Sequence, residues 1–205
     1  MNAAGHPGGS STRTRPWARA GLTLIELLVV IAVIGIISAF ALPKFNLEGY
    51  KVNSAVRAVT ATLSYSQRLA VTLQHDVRVA IDQPNDRLRI HEDLNNNGVM
   101  DAGERVTYTN LEEGVIFGMG TAPPVTYTDG TQGMGVVNLV GTQAGLPVIV
   151  FRRDGSASEA GGFYLNTVRG TADTTNNAVR AGEIIRSSGR VVWYTYASSA
   201  WTRGN

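Results

Sequence analysis

The 205-residue chain contains no cysteine. That excludes disulfides, thiol nucleophiles and cysteine metal sites, and leaves the fold to rest on packing or on a bound ion. Histidine is scarce: His6, His75 and His91 show no zinc-type spacing, and no nucleophile elbow lies near them. His75 is expected at a helix end and His91 on an exposed strand face, both solvated. Glycine clusters such as Gly133-Met134-Gly135 lack the strand-turn-helix setting that phosphate binding requires and read as loops. Nothing in this inventory supports catalysis. A dominant charge is missing too, since 18 Lys and Arg against 16 Asp and Glu give a net +2. Arg13, Arg15 and Arg19 fall within the first 21 residues, and removing them leaves 2 − 3 = −1. The remainder is not a general polyanion binder.

What the chain does have is one long apolar run, Gly21 to Pro43, GLTLIELLVVIAVIGIISAFALP, with Glu26 as its one charged residue. As a helix, Leu22 to Leu42 rises about 32 Å, which matches a hydrocarbon core of about 30 Å. A lone carboxylate at that depth costs about 3 kcal/mol, so Glu26 marks a pairing or functional role. The preceding segment, Met1 to Gly21, is rich in Gly and Ser, lacks acids and carries the three arginines. A secretory signal peptide places its apolar stretch before the cleavage site and loses it. Here the stretch follows a small residue, so a cut after Gly21 keeps the helix. The new amino terminus then lies four residues from Glu26, within reach of a Glu on a neighbouring helix.

Gly21, the run Leu22-Thr23-Leu24-Ile25-Glu26-Leu27-Leu28-Val29-Val30 and Pro43 together resemble the type IV pilin and pseudopilin superfamily. The resemblance implies a prepilin peptidase that cuts after Gly21 and N-methylates Leu22. Phe is usual at that first position, and Leu22 is an apolar departure. It also implies Glu26 and Pro43 as assembly residues, and a single pass through the bacterial inner membrane. The leader would face the cytoplasm and the rest the periplasm, until the helix leaves the membrane for a filament of pilin-like subunits.

Beyond Pro43 the spacing of Val52, Val56, Val59, Leu63, Ala70 and Leu73 predicts an amphipathic helix over 44–75, with Ser66 as the weak member of the stripe. Lys51, Asn53, Arg57, Thr60, Ser64 and Gln67 form the opposite face. Pro43 and Gly49 predict kinks or locally melted turns. From Val77 the period becomes two. Val77, Val79 and Ile81, a Gln83-Pro84-Asn85-Asp86 turn, then Leu88 and Ile90 predict a hairpin. Further strands are expected over 105–109, 115–117, 148–152, 162–166, 183–187 and 190–196. The segment 119–145 reads as long loop with one short strand at most. The organisation is a leader (1–21), a membrane or filament-core helix (22–43), an amphipathic helix (44–75) and an antiparallel β domain (76–205), α+β in class.

Within the β domain, DLNNNGVMDAGE (93–104), FRRDG (151–155), GGFYLN (161–166) and IIRSSGRVVW (184–193) resemble the GspH/FimT group. Its members are minor pseudopilins of type II secretion and minor pilins of type IV pili. The resemblance implies a structural subunit at or near a filament tip. Asn166 stands where that group often has cysteine. Val192 stands where the second arginine of the Gly-Arg-x-Arg signature of its DNA-uptake branch would be.

Two further segments have two readings each. The 93–104 loop matches the twelve-residue calcium pattern. Asp93, Asn95 and Asn97 would offer side-chain oxygens, Val99 a carbonyl, Asp101 a direct or water-bridged ligand and Glu104 a bidentate carboxylate, with Gly98 at the sharp turn. A structural Ca2+ there would staple a cysteine-free domain. The other reading is a polar Asn-Gly hairpin turn. In the last third, Arg152, Arg153, Arg169, Arg180, Arg186, Arg190 and Arg203 lie among Trp193, Tyr194, Tyr196 and Trp201. Arginines with aromatics can grip DNA, with Arg190 as the leading contact. Alternatively Val191, Trp193 and Tyr196 face the core and the arginines are solvated.

Overall fold

The computed structural model describes residues 23–41, 47–173, 175, 176 and 178–204. Two compact units divide at Phe45 and Asn46. The first contains α1, Leu24–Ala41. The second opens with α2, Leu47–Leu73, whose buried residues include Val52, Ala55, Val56, Val59, Leu63, Ser66 and Ala70. That is the expected stripe, with two adjustments. Leu73 is exposed. Ser66 is buried and donates its hydroxyl to the Thr62 carbonyl at 2.9 Å, so a polar residue joins the core without an orphaned group. Gly49 does not melt a turn: it is helical and buried. Pro43 lies outside the described residues.

Among the described residues eleven strands follow, all pairing antiparallel. They are β1 (Asp76–Asp82), β2 (Arg87–Asp93), β3 (Arg105–Asn110), β4 (Val115–Phe117), β5 (Val137–Asn138), β6 (Thr142–Gln143), β7 (Leu146–Phe151), β8 (Gly161–Thr167), β9 (Arg180–Ile184), β10 (Val191–Ala197) and β11 (Ala200–Arg203). One sheet runs β3-β2-β1-β7-β6, and the other runs β11-β10-β9-β8-β4 with β5 also on β8. The strand expected at 183–187 sits three residues earlier, at Arg180–Ile184, where it pairs with both β8 and β10. Residues 185–189 instead form a turn closed by Gly189 N–H on the Ile185 carbonyl.

Helix α2 packs on both sheets. Its stripe meets Val77, Val79, Ile81, Leu88, Ile149 and Phe151 from the first sheet, and Val115, Phe117, Phe163, Leu165, Ile184 and Val191 from the second. Period two sends Tyr164, Ala181, Tyr194 and Tyr196 to the far face of the second sheet. There the segment expected to be loop supplies the cover: Ala122, Val125 and Tyr127 pack on those rings. Tyr164 donates its hydroxyl to the Gly133 carbonyl and accepts the Val125 N–H, both at 2.8 Å, and Trp201 donates to the Pro123 carbonyl at 2.9 Å. Gln67, on the predicted polar face of α2, donates to the Gly155 and Ser188 carbonyls at 2.9 and 2.6 Å. It pins two turns, 152–155 and 185–189, to the helix.

At the β1–β2 turn, the buried Asp82 accepts hydrogen bonds from Arg87 Nε at 2.7 Å and Asn85 Nδ2 at 2.8 Å. Burial pushes this carboxyl up, and the bonds from Arg87 and Asn85 outweigh it, holding the group below its ordinary 3.8. A depressed folded pKa contributes stability that is present above the unfolded value and lost as pH falls through the folded one. Urea unfolding midpoints should therefore drop as pH falls below about 4, and Asp82→Asn should flatten that acid limb. Equal slopes in the two proteins would contradict the assignment.

Candidate assembly helix and the 93–104 loop

Helix α1 begins at a cap. Thr23 Oγ1 accepts the Glu26 N–H at 3.2 Å, and the Thr23 carbonyl accepts the Leu27 N–H at 3.1 Å. Thr23 is thus the N-cap and Glu26 stands in the first turn, where the helix dipole favours a carboxylate. The T-x-x-E spacing of a capping box at Thr23 is the sequence signal for this helix start. Around Glu26 apolar side chains cover every side of the helix, and the large ones from Leu24 to Ile37 are 45–82% exposed. A helix apolar all round has no solvated face and needs an apolar environment supplied by a membrane or by other chains. Among the described residues no helix is long and apolar enough to cross a membrane. The side chains described on α1 end at Ser38. Gly21, Leu22 and Pro43, which complete the expected cleavage site and span, lie outside the described residues.

The carboxylates of the 93–104 loop meet donors from the loop itself and from Arg78 and His91 of the adjoining strands. Asp93 is fully buried; its Oδ1 accepts Asn97 N–H at 3.1 Å, and its Oδ2 accepts Gly98 N–H at 2.9 Å and Arg78 Nε at 2.6 Å. Asn95 and Asn97 turn their Nδ2 groups, not their oxygens, onto Asp101 Oδ2 at 2.9 and 2.7 Å. Asn97 Oδ1 accepts the Val99 N–H at 2.7 Å. Glu104 Oε1 accepts Leu94 N–H at 3.0 Å, while Oε2 accepts Asp101 N–H at 2.9 Å and faces His91 Nε2 at 2.7 Å.

These contacts set the charge. Burial pushes Asp93 up, but Arg78 and the Gly98 and Asn97 amides hold it below its ordinary value. The Asn95 and Asn97 amides lower Asp101; the Asp101 N–H, then His91, lower Glu104. Among the described residues no three His, Cys, Asp or Glu side chains could jointly hold a metal ion.

His91 is a correction. It is fully buried, with Nδ1 3.0 Å from Gln143 Nε2 and Nε2 on Glu104. Gln143 Nε2 also donates to the Gly98 carbonyl at 2.9 Å, so Nδ1 accepts and Nε2 carries the proton. Strand alternation places His91 away from α2, as expected, but β6 and the 93–104 loop cover that outer face. Gln143, buried on the same face, also accepts from Arg89 Nη2 with its backbone carbonyl at 2.9 Å. Neither contact had a local sequence signal. His75 is buried as well, with Nδ1 3.2 Å from the Asp76 carbonyl oxygen.

In the last third, Val191 and Trp193 join the main core, while Tyr194 and Tyr196 pack on the other face of the sheet. Arg190 is exposed at the β9–β10 turn, and Val192 beside it is buried. Arg180 is not solvated: it is buried, with Nε on Asn53 Oδ1 at 2.7 Å and Nη1 on the Val179 carbonyl at 2.8 Å. Arg57, on α2, lies over the Trp193 ring at 5.9 Å. These aromatics pack on the two faces of the second sheet, with Trp193 and Trp201 half-buried.

Residues 18–42 match the family model described as the prokaryotic N-terminal methylation motif. The chain therefore carries a pilin-type N-terminal segment. It is similar to the type IV major fimbrial protein FimA and to a fimbrial protein, both of Dichelobacter nodosus, each 41% identical over 54 residues. Those residues are 26% of this chain and 33% of the relatives. The chain thus spans about a third of the length of the curated relatives it matches, and the likeness does not extend over most of the β domain. No solved structure matches the chain.

Proposed function

We propose that the chain is a minor pilin-like structural subunit of a type II secretion pseudopilus. In this reading prepilin peptidase cuts after Gly21 and methylates Leu22, and the subunit assembles at or near the filament tip. The observation that carries the reading is α1, which is capped at Thr23, apolar on every side and charged at Glu26 alone. The methylation-motif match over the same residues supports it. Before assembly α1 sits in the inner membrane, and afterwards it packs among the helices of neighbouring subunits, with the β domain facing outward. Glu26 neutralises an amino terminus there.

A minor pilin of a type IV pilus, assisting assembly or DNA uptake, is the second reading. The fimbrial names of the matched relatives favour it. A clean deletion, scored in parallel for secreted proteins and for twitching and DNA uptake, separates the two. Loss of secretion with pili intact supports the first. Loss of twitching or uptake with secretion intact overturns it in favour of the second, and Arg190→Ala then tests DNA contact. A deletion that changes none of these contradicts both.

A further inference from the structure

We propose that Arg78 holds the place of the cation in a calcium-type loop, so that 93–104 is a hairpin locked without metal. In such a loop the first Asp gives oxygen to the ion, and the chain turns sharply at the Gly of position six. That turn is present, and the Asn97 and Gly98 N–H groups both reach Asp93. The positive charge comes instead from the neighbouring strand. The β1–β2 register pairs Arg78 with His91 and Asp76 with Asp93, which makes Arg78 and Asp93 diagonal neighbours on one face. Arg78 Nε meets Asp93 Oδ2 at 2.6 Å. The rest of the guanidinium lies against Gly98, where an added Cβ would stand 3.2 Å from Arg78 Nη2. Gly98 at φ +81° therefore serves both the turn and the seat of the guanidinium.

Every carboxylate of the loop is then supplied with protein donors: Arg78, Asn97 and Gly98 for Asp93, Asn95 and Asn97 for Asp101, and Leu94, Asp101 and His91 for Glu104. A divalent ion could enter only by expelling the guanidinium from a fully buried carboxylate and turning both Asn amides over. A fixed side chain suits a cysteine-free domain whose loop must hold its shape at any calcium level.

Thermal unfolding of the full-length chain in detergent tests this, in EGTA and in about 5 mM CaCl2. The wild-type Tm should be the same in both, with no heat of binding on titration with CaCl2. Arg78→Gln should lower the Tm in EGTA by about 5–10 °C, because Asp93 is left buried without its charge partner. Calcium should restore part of that loss. Arg78→Lys, which keeps the charge, should remain insensitive to calcium. A wild-type Tm that rises with calcium overturns the proposal, and so does an Arg78→Gln protein with a wild-type Tm. Lowered stability that calcium does not restore also overturns it, leaving an ordinary ion pair. If Arg78→Gln does not fold, the wild-type calcium response and Arg78→Lys still decide.

Discussion

Glu26→Ala is expected to leave the chain in the membrane fraction at its usual level and to lower its amount in sheared filaments at least tenfold. Glu26 is the one charged group on α1, and the side chains around it are apolar. In a filament core it and the amino terminus created after Gly21 would be charges without solvent, each costing about 3 kcal/mol if left alone. Removing the carboxylate strands the amine, and each 1.4 kcal/mol of that cost is a tenfold loss of incorporation. Glu26→Gln, which keeps the shape and the helix but not the charge, should behave alike. The helix cap does not confound the result, because Thr23 receives the backbone N–H of residue 26. Quantitative immunoblots of sheared and membrane fractions measure it, and unchanged incorporation of Glu26→Ala would contradict the assembly role.

Gly182→Val should unfold the β domain, or cost it about 3 kcal/mol or more. Gly182 pairs with Phe163 across β8 and β9, and a Cβ there would run into the ring of Phe163. That ring has nowhere to go. It is fully buried in the core shared with α2 and sits edge-on to Phe117 with centroids 6.3 Å apart. The neighbouring pair is equally tight, since a Cβ on Gly162 would strike the Gly182 carbonyl oxygen. Urea denaturation followed by far-UV circular dichroism checks the effect. Phe163→Leu in a Gly182→Ala background should recover part of the loss, because the two sites share one space. A wild-type midpoint for Gly182→Val would show that the strands separate more easily than their packing implies.

Much of this fold was legible in the order of residues. The stripe from Val52 to Ala70 named the buried face of α2, and the alternation in Val77–Ile81 and Leu88–Ile90 named the inner face of β1 and β2. What alternation could not say is what lies over the other face. His91 and Asp93 point away from α2 as their positions require, yet β6 and the 93–104 loop bury them. The Arg78–Asp93 pair could have been found. Once Gln83–Asp86 is taken as the turn, Asp82 faces Arg87, and the register puts Arg78 beside Asp93 four residues from the turn. The calcium pattern concerns residues 93–104 alone, and the cation that answers it comes from outside that window. Gly182 carries no sequence signal, because its role depends on the ring that β8 brings across from it. The N-terminal segment was the most legible part: its capping threonine, single glutamate and apolar length are properties of a helix that needs no other part of the chain to define it.

The most direct test of the central claim is the amino-terminal residue of the chain recovered from membranes of cells that contain prepilin peptidase, read by intact-mass and terminal-peptide mass spectrometry. A chain beginning at N-methylated Leu22, with the apolar helix retained, is the expected result. A chain still beginning at Met1, or one cut after the apolar run so that Glu26 is lost, would contradict the assignment of this protein as a processed pilin-like subunit.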